Sequence, residues 1–400
     1  MAMKQTQTKL FDFSDVGLDF SAGSKNLFPD RFKKMLSLGY NVQTVTSVAV
    51  AGNQVTFTYG GAHGYVADRV LKVSAPELLS INGGEFVIDS MTANTVTMTI
   101  DGAPASVVGN FTTKVASLGW GLVYEQANIH IYQFKHIDNT DMYARFCFQN
   151  NASHRNCVSI CIGKTYDNTT GFITDDYALV ETKSIMSPTS GIKWELQFYP
   201  SNSFNNSTYS AGYSTFGKAM IVGSPYHVVL MTNLDSGQGR INSILPHSGV
   251  DYAPIDYPVL LGENSGSSSS NADYYDQNVA GRVFVGSVRC RLSVTTSTTS
   301  DNLIQTTDMP ASSFLTSLVQ TFNTTTAEQL RVYEFTTSQL IGYAYGVYRC
   351  LYASSNRPST DKIQSPAILN GENAELIPTG NFGNSPYFYI SAPLEEVILD

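Results

Sequence analysis

The stretch NVQTVTSVAVAGNQVTFTY, residues 41–59, decides the fold class. From Val42 to Val50 its residues alternate with the period of two that is typical of a β-strand. Gly52-Asn53 then interrupts the alternation with residue types that favour turns, and residues 55–59 resume it. The pattern therefore predicts a β-hairpin.

Working outward from this hairpin, short strand patterns separated by glycine-containing turns continue to about residue 115. Such a series predicts a small β-barrel or β-sandwich module over residues 41–115. Residues 116–400 contain further strand patterns, separated by long loops rich in Ser, Asn and Tyr, and predict a larger β-sandwich-like domain with a possible sub-boundary near residue 295. The predicted fold class is mainly β, with an N-terminal arm and helix.

Residues 1–40 form the predicted arm and helix. Pro29 stands where a helix begins, Gly39 where it ends, and apolar residues recur between them with a helical period. These apolar residues are Phe28, Phe32, Met35 and Leu36. Such a helix packs on its own domain or docks on a neighbouring subunit, and we assign these four residues to docking. A second helix is predicted over residues 312–322 from an apolar stripe.

The composition excludes several classes of protein. Charged residues make up 14% of the sequence, against roughly 25% in an average soluble protein. Aromatic residues make up 12%, which excludes wholesale disorder. The net charge of −9 and the lack of a basic patch argue against nucleic-acid binding. No apolar run reaches the length of a membrane-spanning helix or a signal peptide, so we expect a soluble protein made in a cytoplasm, without membrane insertion.

The cysteines and histidines show no spacing typical of metal sites or catalytic triads. Five cysteines are an odd and widely spaced set, which predicts buried free thiols rather than a disulfide framework. Cys157 and Cys161 share one face of a predicted strand, but no second Cys or His pair accompanies them. The six histidines are expected to be structural or surface residues. They are His63, His130, His136, His154, His227 and His247.

No catalytic residue, cofactor or metal is assigned. The acidic pairs Asp175-Asp176 and Glu395-Glu396 are adjacent in sequence, and adjacent residues of a strand point to opposite faces. A hydrolytic pair assembled from distant segments remains an alternative. Nucleophile-elbow, phosphate-loop and zinc-protease motifs do not occur in the sequence.

Tyrosines in the polar loops are candidates for surface recognition. A tyrosine side chain supplies rigid, amphipathic contact area, which suits protein contacts and also stacking on carbohydrate. The candidates are Tyr252, Tyr257, Tyr274 and Tyr275. Anchoring of their own loops is the alternative role.

Several segments resemble structural proteins of tailed bacteriophages. Within the small module these segments are Val45–Thr58, Ala62-His63-Gly64-Tyr65, Ile81–Ile88 and Asn94–Met98. In the larger domain they are Leu118-Gly119-Trp120, Met142–Phe146 and Tyr345–Arg349. The resemblance is to a small β module with a His-Gly-aromatic loop, followed by a second domain.

This resemblance implies a non-enzymatic virion component that forms a symmetric homo-oligomer in the tail, baseplate or collar. Its partners would be further copies of itself and other virion proteins, and its location the virion, after synthesis in the cytoplasm of a bacterial host. Three alternatives stay open: a capsid decoration protein, a protein that binds glycans on the host surface, and a glycan hydrolase.

Overall fold

Antiparallel β-sheet makes up most of the protein, which confirms the predicted fold class. The structure is a computed structural model, and it describes residues 8–18, 27–75, 80–104, 106, 111–150, 157–188, 192–195, 219–233, 239–263, 281–292, 326–352, 364–369, 372–378 and 387–394. Five sequence predictions fall outside these residues, namely those for the sub-boundary near residue 295, for the helix over 312–322, for His154, for Tyr274-Tyr275 and for Glu395-Glu396.

The seven strands of the smaller sheet span residues 40–115, one residue more than the range predicted for the small module. They are β2 (Tyr40–Ala51), β3 (Gln54–Tyr59), β4 (Val70–Ser74), β5 (Glu85–Val87), β6 (Ser90–Met91), β7 (Thr95–Thr99) and β8 (Phe111–Val115). Their order across the sheet is β5-β4-β8-β2-β3-β7-β6. The predicted hairpin is confirmed as β2 and β3, joined at the predicted turn.

One irregularity in the hairpin changes which side chains face the solvent. The pairing of β2 with β3 shifts register between Val45 and Ser47. Because side chains alternate across a strand, an extra residue reverses their directions from that point on. Val42 is therefore 63% exposed, whereas Val48 and Val50 pack against the core.

The larger sheet joins 18 strands of the described chain in one network of antiparallel pairs. Its first strands are β1 (Lys9–Asp12), β9 (Gly121–Gln126), β10 (Ile129–Lys135), β11 (Asp141–Phe148), β12 (Cys157–Gly163), β13 (Lys193–Glu195), β14 (Ala219–Ser224), β15 (His227–Asn233) and β16 (Gly239–Leu245). The others are β17 (His247–Gly249), β18 (Val259–Glu263), β19 (Gly281–Val285), β20 (Val288–Arg291), β21 (Thr326–Glu334), β22 (Leu340–Tyr352), β23 (Gln364–Leu369), β24 (Glu372–Pro378) and β25 (Tyr387–Pro393).

Strand β18 is one branch point of this network. It pairs with β16 and with β19, and its last residue, Glu263, also pairs with Lys193 of β13. The predicted arm joins the same sheet, because β1 pairs with β14. The hydroxyl of Thr8 donates to the carbonyl of Pro393 at 3.0 Å, so the arm also contacts the last strand.

The predicted N-terminal helix is confirmed as α1 (Phe28–Lys33), which continues into a π-helical turn over Lys34–Leu38. It ends at Gly39, whose φ of +75° is a conformation that glycine adopts readily. A Cβ atom at this position would collide with the carbonyl of Val115, so the turn after the helix requires glycine. Within the described ranges, no helix has the length and apolar character needed to cross a membrane.

The four residues assigned to docking are fully buried within this chain. Phe28, Phe32, Met35 and Leu36 have no exposed surface. The ring of Phe32 lies 5.4 Å from that of Phe146 and 6.3 Å from that of Trp194, between centroids. The helix thus packs on its own chain, which is the alternative that the sequence left open.

The carbonyls at the end of the helix hold the connection between the two sheets. The backbone N–H groups of Leu118 and Trp120 donate to the carbonyls of Met35 and Leu36, both at 2.9 Å. Trp120 stacks on Phe134 at 4.5 Å between ring centroids. The helix and this segment together fix the start of the larger sheet.

Cys147, Cys161 and Cys290 are buried free thiols, as predicted. Burial raises the pKa of Cys147 to about 11 and that of Cys161 to about 12. Metal ligation and redox chemistry use the thiolate form, which these pKa values disfavour at neutral pH. The Cys157 side chain lies outside the described part of the structure.

Replacing Phe32 by Ala is expected to lower the free energy of unfolding by about 3–5 kcal/mol, because it leaves a cavity among aromatic rings. Urea unfolding followed by tryptophan fluorescence measures the change. Leu27→Ala, at the residue directly before the helix, which is 41% exposed, is the control and should cost less than about 0.5 kcal/mol. Equal unfolding midpoints for the two variants would contradict the packing role.

Candidate functional site

Residues 247–257, which lead from β17 into β18, form the centre of the candidate site. Gly249 pairs with Gly342 of β22, and the ring of His247 packs against both glycines. A 3-10 turn over Ala253–Ile255 follows, with the N–H of Ile255 donating to the carbonyl of Tyr252 at 2.8 Å. This turn leaves the side chain of Tyr252 61% exposed.

A half-exposed ion pair lies directly after the turn. The ammonium group of Lys164 is 2.6 Å from Oδ2 of Asp256 and 4.9 Å from the ring centre of Tyr257. Oδ1 of Asp256 lies 3.6 Å from Nε2 of the buried His136. The site therefore brings together residues from three distant parts of the chain.

Asp175 holds the other side of the site in place. Its carboxylate accepts a hydrogen bond from the hydroxyl of Tyr257 at 2.5 Å and from the backbone N–H groups of Lys164 and Tyr177. Burial and the Asp175 carboxylate raise the pKa of Tyr257 well above its usual value. Tyr257 therefore remains a neutral hydrogen-bond donor, and the oxygens of Asp175 are occupied within the chain.

The loop that carries Asp175 is fixed by a buried arginine. The guanidinium group of Arg145 donates to the carbonyls of Gly171, Thr182 and Ile185. Each of these bonds involves a charged donor, which makes it stronger than a bond between neutral groups. The loop is therefore held at several points on the larger sheet.

Two buried histidines at the site are neutral at pH 7. Burial lowers the pKa of His136, an effect that Asp256 opposes. Burial and, to a lesser degree, His136 lower the pKa of His247 to about 4. Nδ1 of His136 and Nε2 of His247 have no hydrogen-bond partner in the structure, so protonation would add a buried N–H donor without an acceptor.

The structure places the predicted recognition residues in different environments. Tyr252 is exposed, whereas Tyr257 is buried and serves the hydrogen bond to Asp175. Tyr274 and Tyr275 lie outside the described residues. The docking residues are in the interior, as described above. The loop-anchoring alternative thus describes Tyr257.

Sequence reasoning did not find most of the site. His136 and His247 were expected to be structural or surface residues. Their positions in the sequence do not indicate that both lie near Asp256. The two exposed tyrosines Tyr177 and Tyr343 also escaped notice. Strand pairing alone brings such residues together, and a pairing between β17 and β22 is not visible in local sequence.

The described residues show little that favours catalysis. No group of three or more His, Cys, Asp or Glu side chains within them is arranged to hold a metal ion. Ser224 and His227 are 2.7 Å apart and resemble part of a nucleophilic pair. Both side chains are fully buried, however, and burial lowers the pKa of His227 to about 3. Substrate cannot reach this pair in the folded protein.

No protein-family model matches the sequence, and no curated protein matches it either. The role of the site is therefore inferred from its geometry and chemistry.

The neutral state of His247 predicts that stability falls on acidification. An unfolded His binds a proton below about pH 6.5, whereas folded His247 does so only near pH 4, so the free energy of unfolding decreases as pH falls between these values. Between pH 7 and pH 5 the expected loss from this residue is about 2 kcal/mol.

Urea unfolding of the wild type and of His247→Gln at pH 5, 6, 7 and 8 measures this effect. Between pH 7 and pH 5 the free energy of unfolding should fall by about 2 kcal/mol less in the variant than in the wild type. At pH 8 His is neutral in both states, so the two proteins should respond equally to pH there. Parallel curves down to pH 5 would show that His247 does not carry the effect.

Proposed function

We propose that the protein is a non-enzymatic structural component of a tailed-phage particle, assembled as a symmetric homo-oligomer in the tail, baseplate or collar. It is made in the cytoplasm of a bacterial host and resides in the virion. Its partners are further copies of itself and other virion proteins. The proposal takes its phage context from the sequence resemblance and its assembly surface from the structure.

Three exposed valines on segments that contact one another support the assembly role. Val16, Val42 and Val66 are 52%, 63% and 42% exposed, and we call them the valine patch. A Cβ atom on Gly64 would lie 3.0 Å from the side chain of Val16, and the side chain of Asn41 donates to the carbonyl of His63. The three segments that carry the valines therefore contact one another.

Buried polar contacts fix the segments that carry the valine patch. Arg69 binds both carboxylate oxygens of Asp15 at 2.8 and 2.9 Å, and the hydroxyl of Tyr40 donates to Asp15 at 2.6 Å. This network fixes the arm beside Val16 onto the smaller sheet. A clustered, preorganised aliphatic surface is typical of a protein–protein contact. Closed homo-oligomers are the commonest use of such contacts, which favours a second copy as the occupant.

The polar groups of the site support a non-enzymatic role. Asp175 and Asp256 are both engaged by partners within the chain, and Ser224 and His227 are buried. The net charge of −9 disfavours contact with the phosphates of nucleic acid. We therefore propose neither a cofactor nor a nucleic-acid partner, and no membrane insertion.

Charge introduced into the valine patch should prevent assembly. We expect the wild type to be oligomeric and the double variant Val42→Asp, Val66→Asp to be monomeric, since carboxylates would be buried in the contact. Size-exclusion chromatography with light scattering measures the mass. Val180→Asp, at a valine that is 66% exposed outside the patch, is the control and should remain oligomeric. A monomeric wild type, or an oligomeric double variant, would contradict the proposal.

Immunogold electron microscopy tests the location. Antibody against the recombinant protein should label the tail, baseplate or collar of particles from the phage that encodes it. Disrupted particles are labelled in parallel, because a buried subunit is inaccessible in intact ones. Gold over the whole head would assign the decoration role instead, and its absence from both preparations would refute a virion component.

A further inference from the structure

Three tyrosines surround the candidate site and leave their rings open to solvent. Tyr177, Tyr252 and Tyr343 are 45%, 61% and 38% exposed, and they are the exposed aromatic side chains of the described surface. We call them the tyrosine rim. Most other aromatic rings of the described chain are at least partly buried because burial is favourable, so three exposed rings in one region need an explanation.

The backbone contacts place the three tyrosines around the same turn. Tyr343 pairs with Ser248, at the start of the segment that leads to Tyr252. Gly286 lies between the turn after Tyr252 and the loop that carries Tyr177. A Cβ atom on Gly286 would lie 2.7 Å from the carbonyl oxygen of Pro254 and 2.8 Å from that of Tyr177. The tyrosine rim is therefore one surface, although its members are distant in sequence.

Charged groups with spare hydrogen-bonding capacity accompany the rings. Asp256 and Lys164 have side chains that are 41% and 39% exposed, and Asp176 and Asp251 are exposed. Carboxylate oxygens accept hydrogen bonds from hydroxyl groups, and an ammonium group donates to them. The surface thus combines flat apolar faces with donors and acceptors at short range.

We propose that the tyrosine rim binds an uncharged oligosaccharide, whose apolar ring faces stack on the tyrosines while its hydroxyl groups bond to Asp256 and Lys164. Tyr252 lies four residues beyond Ser248, the partner of Tyr343, which is at most roughly 13 Å along a segment that bends at Asp251. We expect a ligand that contacts both rings to contain more than one sugar unit. This inference goes beyond assembly and does not depend on the valine patch.

The surrounding charges favour a neutral glycan over two other classes of ligand. The acidic side chains at the site outnumber Lys164, which disfavours phosphate-bearing ligands such as nucleic acid. The centres of protein–protein contacts are depleted in Asp, Glu and Lys, whereas the tyrosine rim is interspersed with them. A polyhydroxylated, uncharged ligand uses both the rings and the charges.

A glycan array tests the proposal with the full chain. The array carries neutral hexose and N-acetylhexosamine glycans, from single sugars to hexasaccharides. We expect saturable binding that strengthens with glycan length. The dissociation constant of the best ligand is then measured by titration calorimetry for each variant.

Tyr252→Ala and Tyr343→Ala should each weaken binding by about tenfold or more. Tyr252→Phe keeps the ring and should bind as the wild type does. Met91→Ala, at an exposed residue of the smaller sheet, is the matched control and should also bind normally. Thermal melting confirms that each variant is folded, which is expected because the substituted side chains are exposed.

Absence of saturable binding to every oligosaccharide would overturn the proposal, as would Tyr252→Ala and Tyr343→Ala variants that bind like the wild type. Binding equally strong for single sugars would refute the extended site. The double variant Val42→Asp, Val66→Asp should bind the glycan with unchanged affinity per site. Loss of assembly and loss of glycan binding are thereby measured separately.

Discussion

The packing of Phe28 and Phe32 on the aromatic residues of the larger sheet is the interaction on which the rest of the structure depends. The two rings lie 4.7 Å apart and pack against Phe146 and Phe148, which lie on β11. The carbonyls at the end of the same helix bind the segment that joins the two sheets. One short helix thus covers the aromatic side chains of the larger sheet and also holds the segment that leads to the smaller sheet.

The scarce charged residues have a consistent use in this fold. Two buried arginines each fix a segment that has no regular structure. Arg145 binds three loop carbonyls, and Arg69 with Asp15 ties the arm to the smaller sheet. A buried charge without its partners is costly, so each such group demands one arrangement of its loop. Loops held in this way present fixed surfaces, including the valine patch and the tyrosine rim.

Sequence patterns predicted what depends on neighbours along the chain. The hairpin at residues 41–59 and the helix between Pro29 and Gly39 follow from periodicity and from turn residues, and both were found. Burial of the helix in its own chain was left open, because its aromatic partners Phe146, Phe148 and Trp194 are more than 100 residues away. The meeting of His136, His247 and Asp256 results from strand pairing, which no local pattern encodes. The tyrosine rim was found in part, through Tyr252 alone.

The irregular pairing in the hairpin determines how mutations change the exposed surface of β2. Which valines of β2 reach the solvent depends on the number of residues before and after the irregularity, as well as on their identity. Loss of a single codon between Val45 and Ser47 would exchange inner and outer residues along one end of the strand. The exposed surface of β2 thus depends on the number of codons around the irregularity. An in-frame deletion at this point would change that surface more than many substitutions would.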